Sequence, residues 1–172
     1  MSKPIILASG SEIRASLLRN AAVPFEVLVA RVDEESMRRS LEAEQASPRD
    51  IADALAEMKA RKISEKRPDA LVIGCDQVLD HHGKVLTKPA TPEDARSQLI
   101  QLRNDRHALL SAVVICEGGQ PIWRHVGQVR LQMRDFSDAY LTEYLTRNWD
   151  SIRHSVGGYK LEEEGVRLFS RI

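Results

Sequence analysis

The chain has 172 residues, 42% of them hydrophobic and 29% charged, with 25 basic and 25 acidic side chains and a formal net charge of zero. That length fits one domain or two tightly associated lobes, and such a chain buries enough apolar surface to need no staples. The even charge balance argues against a dedicated nucleic-acid binder, which carries a basic excess or stripe. The N-terminal stretch Met1–Ala8 has one lysine and a short apolar run, too short for a signal sequence or a membrane span, so no membrane partner is expected and the cytoplasm is the expected compartment. Cys75 and Cys116 sit in apolar runs without zinc-type spacing and read as core thiols in a reducing compartment.

In chain order, Ile5–Ala8 reads as a buried strand. Ser9-Gly10-Ser11 interrupts it, and Ile13 to Asn20 follows with helical spacing at Ile13, Leu17 and Leu18. Pro24 to Ala30 reads as a second strand. Arg31 to Gln45 is charged and weakly patterned, a mobile loop with some helix. Ser47-Pro48 opens a helix through Ile51, Leu55, Met58 and Lys62 to about Lys66, with serine at the cap and proline in the first turn. Leu71–Cys75 is the strongest strand signal, ending at Asp76-Gln77. Val78 to Leu86 reads as a hairpin turning at His81-His82-Gly83. Thr91-Pro92-Glu93-Asp94 opens a helix to about Leu102. Ala108–Cys116 and Ile122–Met133 are strands separated by Gly118-Gly119. Ser137 caps a helix to about Thr146, and Val156-Gly157-Gly158-Tyr159 reads as a strand or turn in close approach to another group. Alternating strands and helices give an α/β class, and the absence of repeats or a clear linker gives a single domain over residues 1–172.

Four features carry chemistry. Ser9-Gly10-Ser11-Glu12-Ile13-Arg14 lies at a strand-to-helix junction, where free N–H groups and the helix dipole attract anions. With Ser11 as N-cap, Arg14 takes the third helical position, where a capping box places Glu or Gln. A cation at the positive helix end calls for an anion: a bound phosphate, or a carboxylate such as Glu12. Asp76 closes an apolar strand, where ligands of open α/β sheets bind; it either holds a divalent metal or accepts a proton from water, or shapes a turn. Lys59, four residues after Leu55, falls near the buried face of its helix, so it reaches a carboxylate or ligand, or snorkels to solvent. Lys88 is held extended by Pro89, which suits phosphate. Asp33-Glu34-Glu35 forms either a metal site or a solvated acidic loop. His81-His82 reads as an exposed turn rather than a metal site.

These pieces occur in the order of one family. The run Leu7-Ala8-Ser9-Gly10-Ser11-Glu12-Ile13-Arg14-Ala15-Ser16-Leu17-Leu18 resembles the N-terminal Maf signature L-A-S-x-S-P-R-R-x-x-L-L. Val32-Asp33-Glu34 resembles the family's acidic motif, and Leu55-Ala56-Glu57-Met58-Lys59-Ala60 its L-A-x-x-K-A helix. Gly74-Cys75-Asp76-Gln77-Val78 is similar to its aspartate strand, Thr87-Lys88-Pro89 to its G-K-P, and Gly157–Glu162 to its late A-G-x-[YF] segment. The match covers essentially the whole chain. Ile13 replaces the first arginine of the signature, Glu12 its proline, and Gln77 the threonine usual in the pyrimidine-nucleotide branch. Ile13, Gln77, Lys160 and Glu162 resemble the branch acting on 7-methyl-GTP. By the same resemblance relatives run on past the position of Ile172, and the family's C-terminal segment is missing from this sequence.

The resemblance implies a mixed, twisted central sheet flanked by helices, of the Maf/ITPase-like type, with two lobes around a nucleotide cleft. It implies a hydrolase that cuts a nucleoside triphosphate into a monophosphate and pyrophosphate with a divalent cation, Mg²⁺ or Mn²⁺. Glu34 and Asp76 would hold the metal, and Asp76, Lys59 and Lys88 would be catalytic. Ser9, Ser11 and Arg14 would bind phosphate, while Gln77 and Glu162 would choose the base. A homodimer is expected on the same ground. The alternatives are a dTTP or UTP pyrophosphatase, and a nucleotide-binding regulator of cell division without turnover.

Overall fold

A computed structural model describes residues 2–172; Met1, the first residue of the stretch read for targeting signals, lies outside them. None of the described helices is long and apolar enough to cross a membrane. The expected α/β class is present. In chain order the elements are β1 (Ile5–Leu7), α1 (Glu12–Asn20), β2 (Glu26–Val27), α2 (Glu34–Ala43), α3 (Pro48–Ser64), β3 (Leu71–His81) and β4 (Lys84–Leu86). There follow α4 (Pro92–Leu102), β5 (Arg106–Glu117), β6 (Gln120–Met133), α5 (Asp138–Ile152) and β7 (Phe169–Arg171), with short 3₁₀ turns at Val156–Gly158 and Glu164–Leu168. The strands form a mixed sheet in the order β2-β1-β3-β5-β6-β7, with β4 paired to β3. The chain divides into two compact units, Met1–Asp76 with Ser111–Gly127, and Gln77–Leu110 with Gln128–Ile172.

In the first unit, β1 pairs in parallel with β2 and with β3, setting Leu7 beside Val27 and Ile73. Parallel strands are buried on both faces and read as continuous apolar runs, which is why Ile5–Leu7 and Leu71–Ile73 were legible. Helix α3 starts where Ser47 accepts the Asp50 N–H and Pro48 takes the first turn. Its buried face is Ile51, Ala52, Leu55, Ala56, Lys59, Ala60 and Ile63. Ala56 and Ala60 lie against Gly74 of β3: a Cβ on Gly74 would fall 2.2 Å from the Ala56 carbonyl oxygen and 2.6 Å from the Ala60 nitrogen. The glycine is therefore what lets helix and strand approach so closely. On α1 only Ala15 is buried, and the apolar side chains of Ile13 and Leu17 are exposed.

Three expectations change here. Residues 34–43, read as a mobile loop with some helix, form a regular helix: Asp33 caps it by accepting the Ser36 N–H at 3.0 Å, and Arg38–Glu42 and Arg39–Glu35 pair one turn apart. Strand β2 shrinks to two residues. Strand β3 does not end at Asp76 but runs on to His81, so the aspartate sits mid-strand.

The second unit has its own core, in which Leu79, Leu99, Leu102, Leu131, Met133, Leu141, Tyr144, Ile152 and Leu168 are almost wholly buried. Helix α5 outruns the expected Thr146 because Trp149 and Ile152 continue its apolar face. Gly157 and Gly158 form a 3₁₀ turn with φ of +76° and +72°. The close approach read there is to the unit's own core: a Cβ on Gly157 would meet Leu79 Cδ1 at 2.5 Å, and the Tyr144 hydroxyl donates to the Gly158 carbonyl at 3.0 Å. Cys75 and Cys116 are buried free thiols, each raised chiefly by burial.

Candidate active site

The first unit gathers six of the polar residues singled out in the sequence. At the β1–α1 junction Ser11 is the N-cap, with extended backbone, and its Oγ accepts the Arg14 N–H at 3.5 Å. Arg14 thus takes the third helical position. The buried Ser9 Oγ accepts from the Ser11 N–H at 3.2 Å and from Arg14 Nη1 at 3.1 Å. Arg14 Nη1 also donates to the Cys75 carbonyl at 3.2 Å. The hydrogen-bond partners of the guanidinium are a hydroxyl and a carbonyl, both neutral, while the charge of Asp76 reaches it without a hydrogen bond. Glu12 turns instead to Arg19 at 2.5 Å, which holds its carboxyl below the ordinary range. A positive charge at a helix N-terminus with neutral partners is arranged to receive an anion.

Behind this junction lies a charged triplet. Lys59 Nζ on α3 lies 2.8 Å from Asp76 Oδ1 and 3.0 Å from Glu34 Oε1, and donates to the Cys75 carbonyl at 3.4 Å. Lys59 and Asp76 are each 7% exposed. The spacing that put Lys59 on the buried helix face therefore ends in a paired lysine, not a snorkelling one. Burial pushes the Asp76 carboxyl up from its ordinary value, Lys59 opposes that, and the Glu34 charge pushes it further up. Of the acidic run, Asp33 caps α2, Glu34 enters the triplet, and Glu35 pairs with Arg39 on the surface.

Glu34 and Asp76 converge on a single cationic position, now held by the Lys59 ammonium. Their hard oxygen donors suit Mg²⁺ or Mn²⁺, ions that take one or two carboxylates and complete their shells with water and phosphate oxygens. A raised, buried carboxyl is also better placed to take a proton from water than an exposed one. Lys88, Gln77 and Glu162 belong to the second unit, where each is exposed: Gln77 on β3, Lys88 just after β4, and Glu162 between the two 3₁₀ turns.

Sequence reading missed the Cys75 carbonyl, which accepts from both Arg14 and Lys59 and so ties the two cations together. A main-chain oxygen carries no residue signature. The available signal was Gly74, a glycine inside an apolar strand, marking a close backbone approach.

The Maf-like protein family matches residues 4–172. A Roseobacter denitrificans protein named nucleoside triphosphate pyrophosphatase is 69% identical over 172 residues, covering 100% of this chain and 86% of that one. A Brucella abortus protein named 7-methyl-GTP pyrophosphatase is 40% identical over 172 residues, with the same coverage of 100% and 86%. Among solved structures, a HAM1 protein from Coxiella burnetii superposes with a TM-score of 0.52 at 15% identity, covering 78% of this chain and 75% of that one, and so shares the fold. Matched across nearly its whole length, with the serines, arginine, lysine and carboxylates of its motifs gathered on one unit, the chain belongs to the Maf-like protein family.

Proposed function

We propose that this chain is a nucleoside triphosphate pyrophosphatase, hydrolysing the α–β phosphoanhydride to a nucleoside monophosphate and pyrophosphate, with 7-methyl-GTP as its preferred substrate. The observation that carries the reaction is Lys59 held between the buried Asp76 and Glu34, beside an arginine whose hydrogen-bond partners are neutral. The names of the relatives support the same activity.

In this reading Asp76 takes a proton from water, whose oxygen bonds the α-phosphorus as the bond to the bridging oxygen breaks and pyrophosphate leaves. Glu34 and Asp76 would hold a divalent cation, which would supply neutralisation of the phosphate charge. Ser9, Ser11 and the α1 N-terminus cradle one phosphate, and Arg14 with Lys59 spreads the developing charge. Lys88 acts on the departing pyrophosphate. Gln77 and Glu162 address the base, and a carboxylate there attracts the cationic ring of a 7-methylguanine. The choice of base rests on Ile13, Gln77 and Glu162 and on the Brucella abortus relative. The proposed compartment is the cytoplasm, and the proposed assembly, by family resemblance, a homodimer.

The test is pyrophosphate release from a panel including 7-methyl-GTP, dTTP and UTP, with Mg²⁺ or Mn²⁺ and with chelator. Metal-dependent release led by 7-methyl-GTP supports the full reading. Release led by dTTP or UTP keeps the enzyme and overturns the assignment of Gln77 and Glu162. No release by folded protein overturns the enzyme and leaves a nucleotide-binding regulator.

A further inference from the structure

The β3–β4 hairpin, whose paired residues Leu79–Leu86 lie within the second unit, turns through His82-Gly83, with His81 paired to Lys84. Both turn residues have positive φ, +54° at His82 and +86° at Gly83. A two-residue turn of this kind favours Asn-Gly, and histidine is among the few other residues that enter the left-handed region with any frequency. Successive residues of a strand point to opposite faces, so two histidines in extended backbone would diverge. The left-handed conformation at His82 instead brings the rings together, with centroids 4.5 Å apart. Both Nε2 atoms then address one oxygen, Asp105 Oδ2, at 2.9 Å from His81 and 2.7 Å from His82.

The surroundings fix this arrangement. Asp105 precedes β5, and its second oxygen accepts the Arg106 N–H at 2.7 Å. The buried His81 presents Nδ1 to the Gln101 amide at 3.3 Å. An amide turned about its axis offers Oε1 to an Nδ1–H, which leaves the Nε2 lone pair for a cation; metal-bound histidines are commonly oriented by a bond of this kind.

We propose that His81, His82 and Asp105 form a binding site for a divalent transition-metal cation of the zinc class, separate from the carboxylates of the first unit. Two imidazoles and one carboxylate are a ligand set for zinc, nickel or copper rather than for magnesium. The three ligand atoms lie within 4.8 Å of one another. Tetrahedral zinc with bonds of about 2.0 Å places its ligand atoms roughly 3.3 Å apart, so the two histidine–carboxylate distances open by only a few tenths of an ångström. The exposed His82 ring supplies that movement. Bound metal pins the hairpin tip to the start of β5 and so stabilises the second unit. The reading predicts metal-dependent stability with no part in the chemistry.

The test uses the whole chain, stripped with chelator, titrated with Zn²⁺ by calorimetry, and followed by imidazole nuclear magnetic resonance. His82→Asn keeps a residue that tolerates the left-handed turn, and Asp105→Asn keeps the bond to the Arg106 N–H. The expected result is one zinc per chain with His81 and His82 Nε2 as ligands, retained in Asp76→Asn and weakened at least about tenfold in His82→Asn and in Asp105→Asn. A melting temperature raised by zinc in the wild type and unmoved in those two variants accompanies it. Absence of zinc binding, or binding that both variants leave unchanged, overturns the proposal. Because the readouts are binding and melting, neither result depends on whether the chain hydrolyses nucleotides.

Discussion

Lys59 and Asp76 form a buried ion pair of 2.8 Å in which the lysine is shared with Glu34. One ammonium thus keeps two like charges together, one buried on Asp76 and one half-exposed on Glu34. Removing one member of such a group costs more than removing a matched pair, because the charge left behind stays buried without a partner.

Lys59→Met should therefore lose about 3–5 kcal/mol of stability and at least about 10² in kcat. Adding Asp76→Asn to it should recover part of the stability and none of the activity. Urea unfolding and pyrophosphate release on the two single variants and the double variant check this. A double variant whose stability losses simply add would show that the pair is not coupled.

Asp76→Asn alone should lower kcat by about 10² or more if the carboxylate takes the proton from water. Activity retained in this variant would remove Asp76 from that role.

Arg14→Lys should reduce kcat/KM by about 10²–10³, since an ammonium cannot span a phosphate as the planar fork does. Its bonds to Ser9 and to the Cys75 carbonyl are to neutral acceptors, so the stability change should stay near 1 kcal/mol. Steady-state kinetics beside thermal melting separates the two effects.

Gly74→Ala should destabilise the chain by roughly 3 kcal/mol through overpacking, because the new methyl falls 2.2 Å from the Ala56 carbonyl oxygen. It should also lower kcat, as α3 moves and takes Lys59 with it. A variant as stable and active as the parent would show that this contact does not set the site.

Acid stability should report on His107. Its ring is buried beside Phe169 and Tyr159, with Nε2 2.7 Å from the Tyr159 hydroxyl and no partner at Nδ1. Burial holds it down at about 4, from an ordinary 6.5. Between those values the unfolded chain binds the extra proton, so stability falls as pH drops from 6.5 towards 4, by up to about 3 kcal/mol. Glu164, held at about 2 by Arg147, adds its loss only below its ordinary 4.5. Melting curves at intervals from pH 7 to 4 should flatten in His107→Gln across the upper window.

What the sequence made legible were features with local causes. Ser47-Pro48 and Thr91-Pro92 mark helix starts because caps act within one turn, and Lys59 could be placed because helical spacing fixes its face. Helix α2 was legible only as some helix in a mobile loop, because neighbouring charge pairs and a cap hold it, with no buried residue on it to give an apolar period. Asp76 was misplaced at a strand end because a polar residue breaks an apolar run, whereas tertiary partners let β3 continue through it. The convergence of His81 and His82 depends on one backbone angle that neither residue announces.

The contact of Gly74 with Ala56 and Ala60 has an outcome for random mutagenesis. A library scored only for lost hydrolysis should return substitutions at these three positions beside those at Asp76 and Arg14, although their side chains hold no polar atom. A larger residue at Ala56 or Ala60 meets the same strand from the other side. Inactive clones that still express would then chart the tolerance of this helix–strand seam, and suppressors should appear as smaller side chains across it.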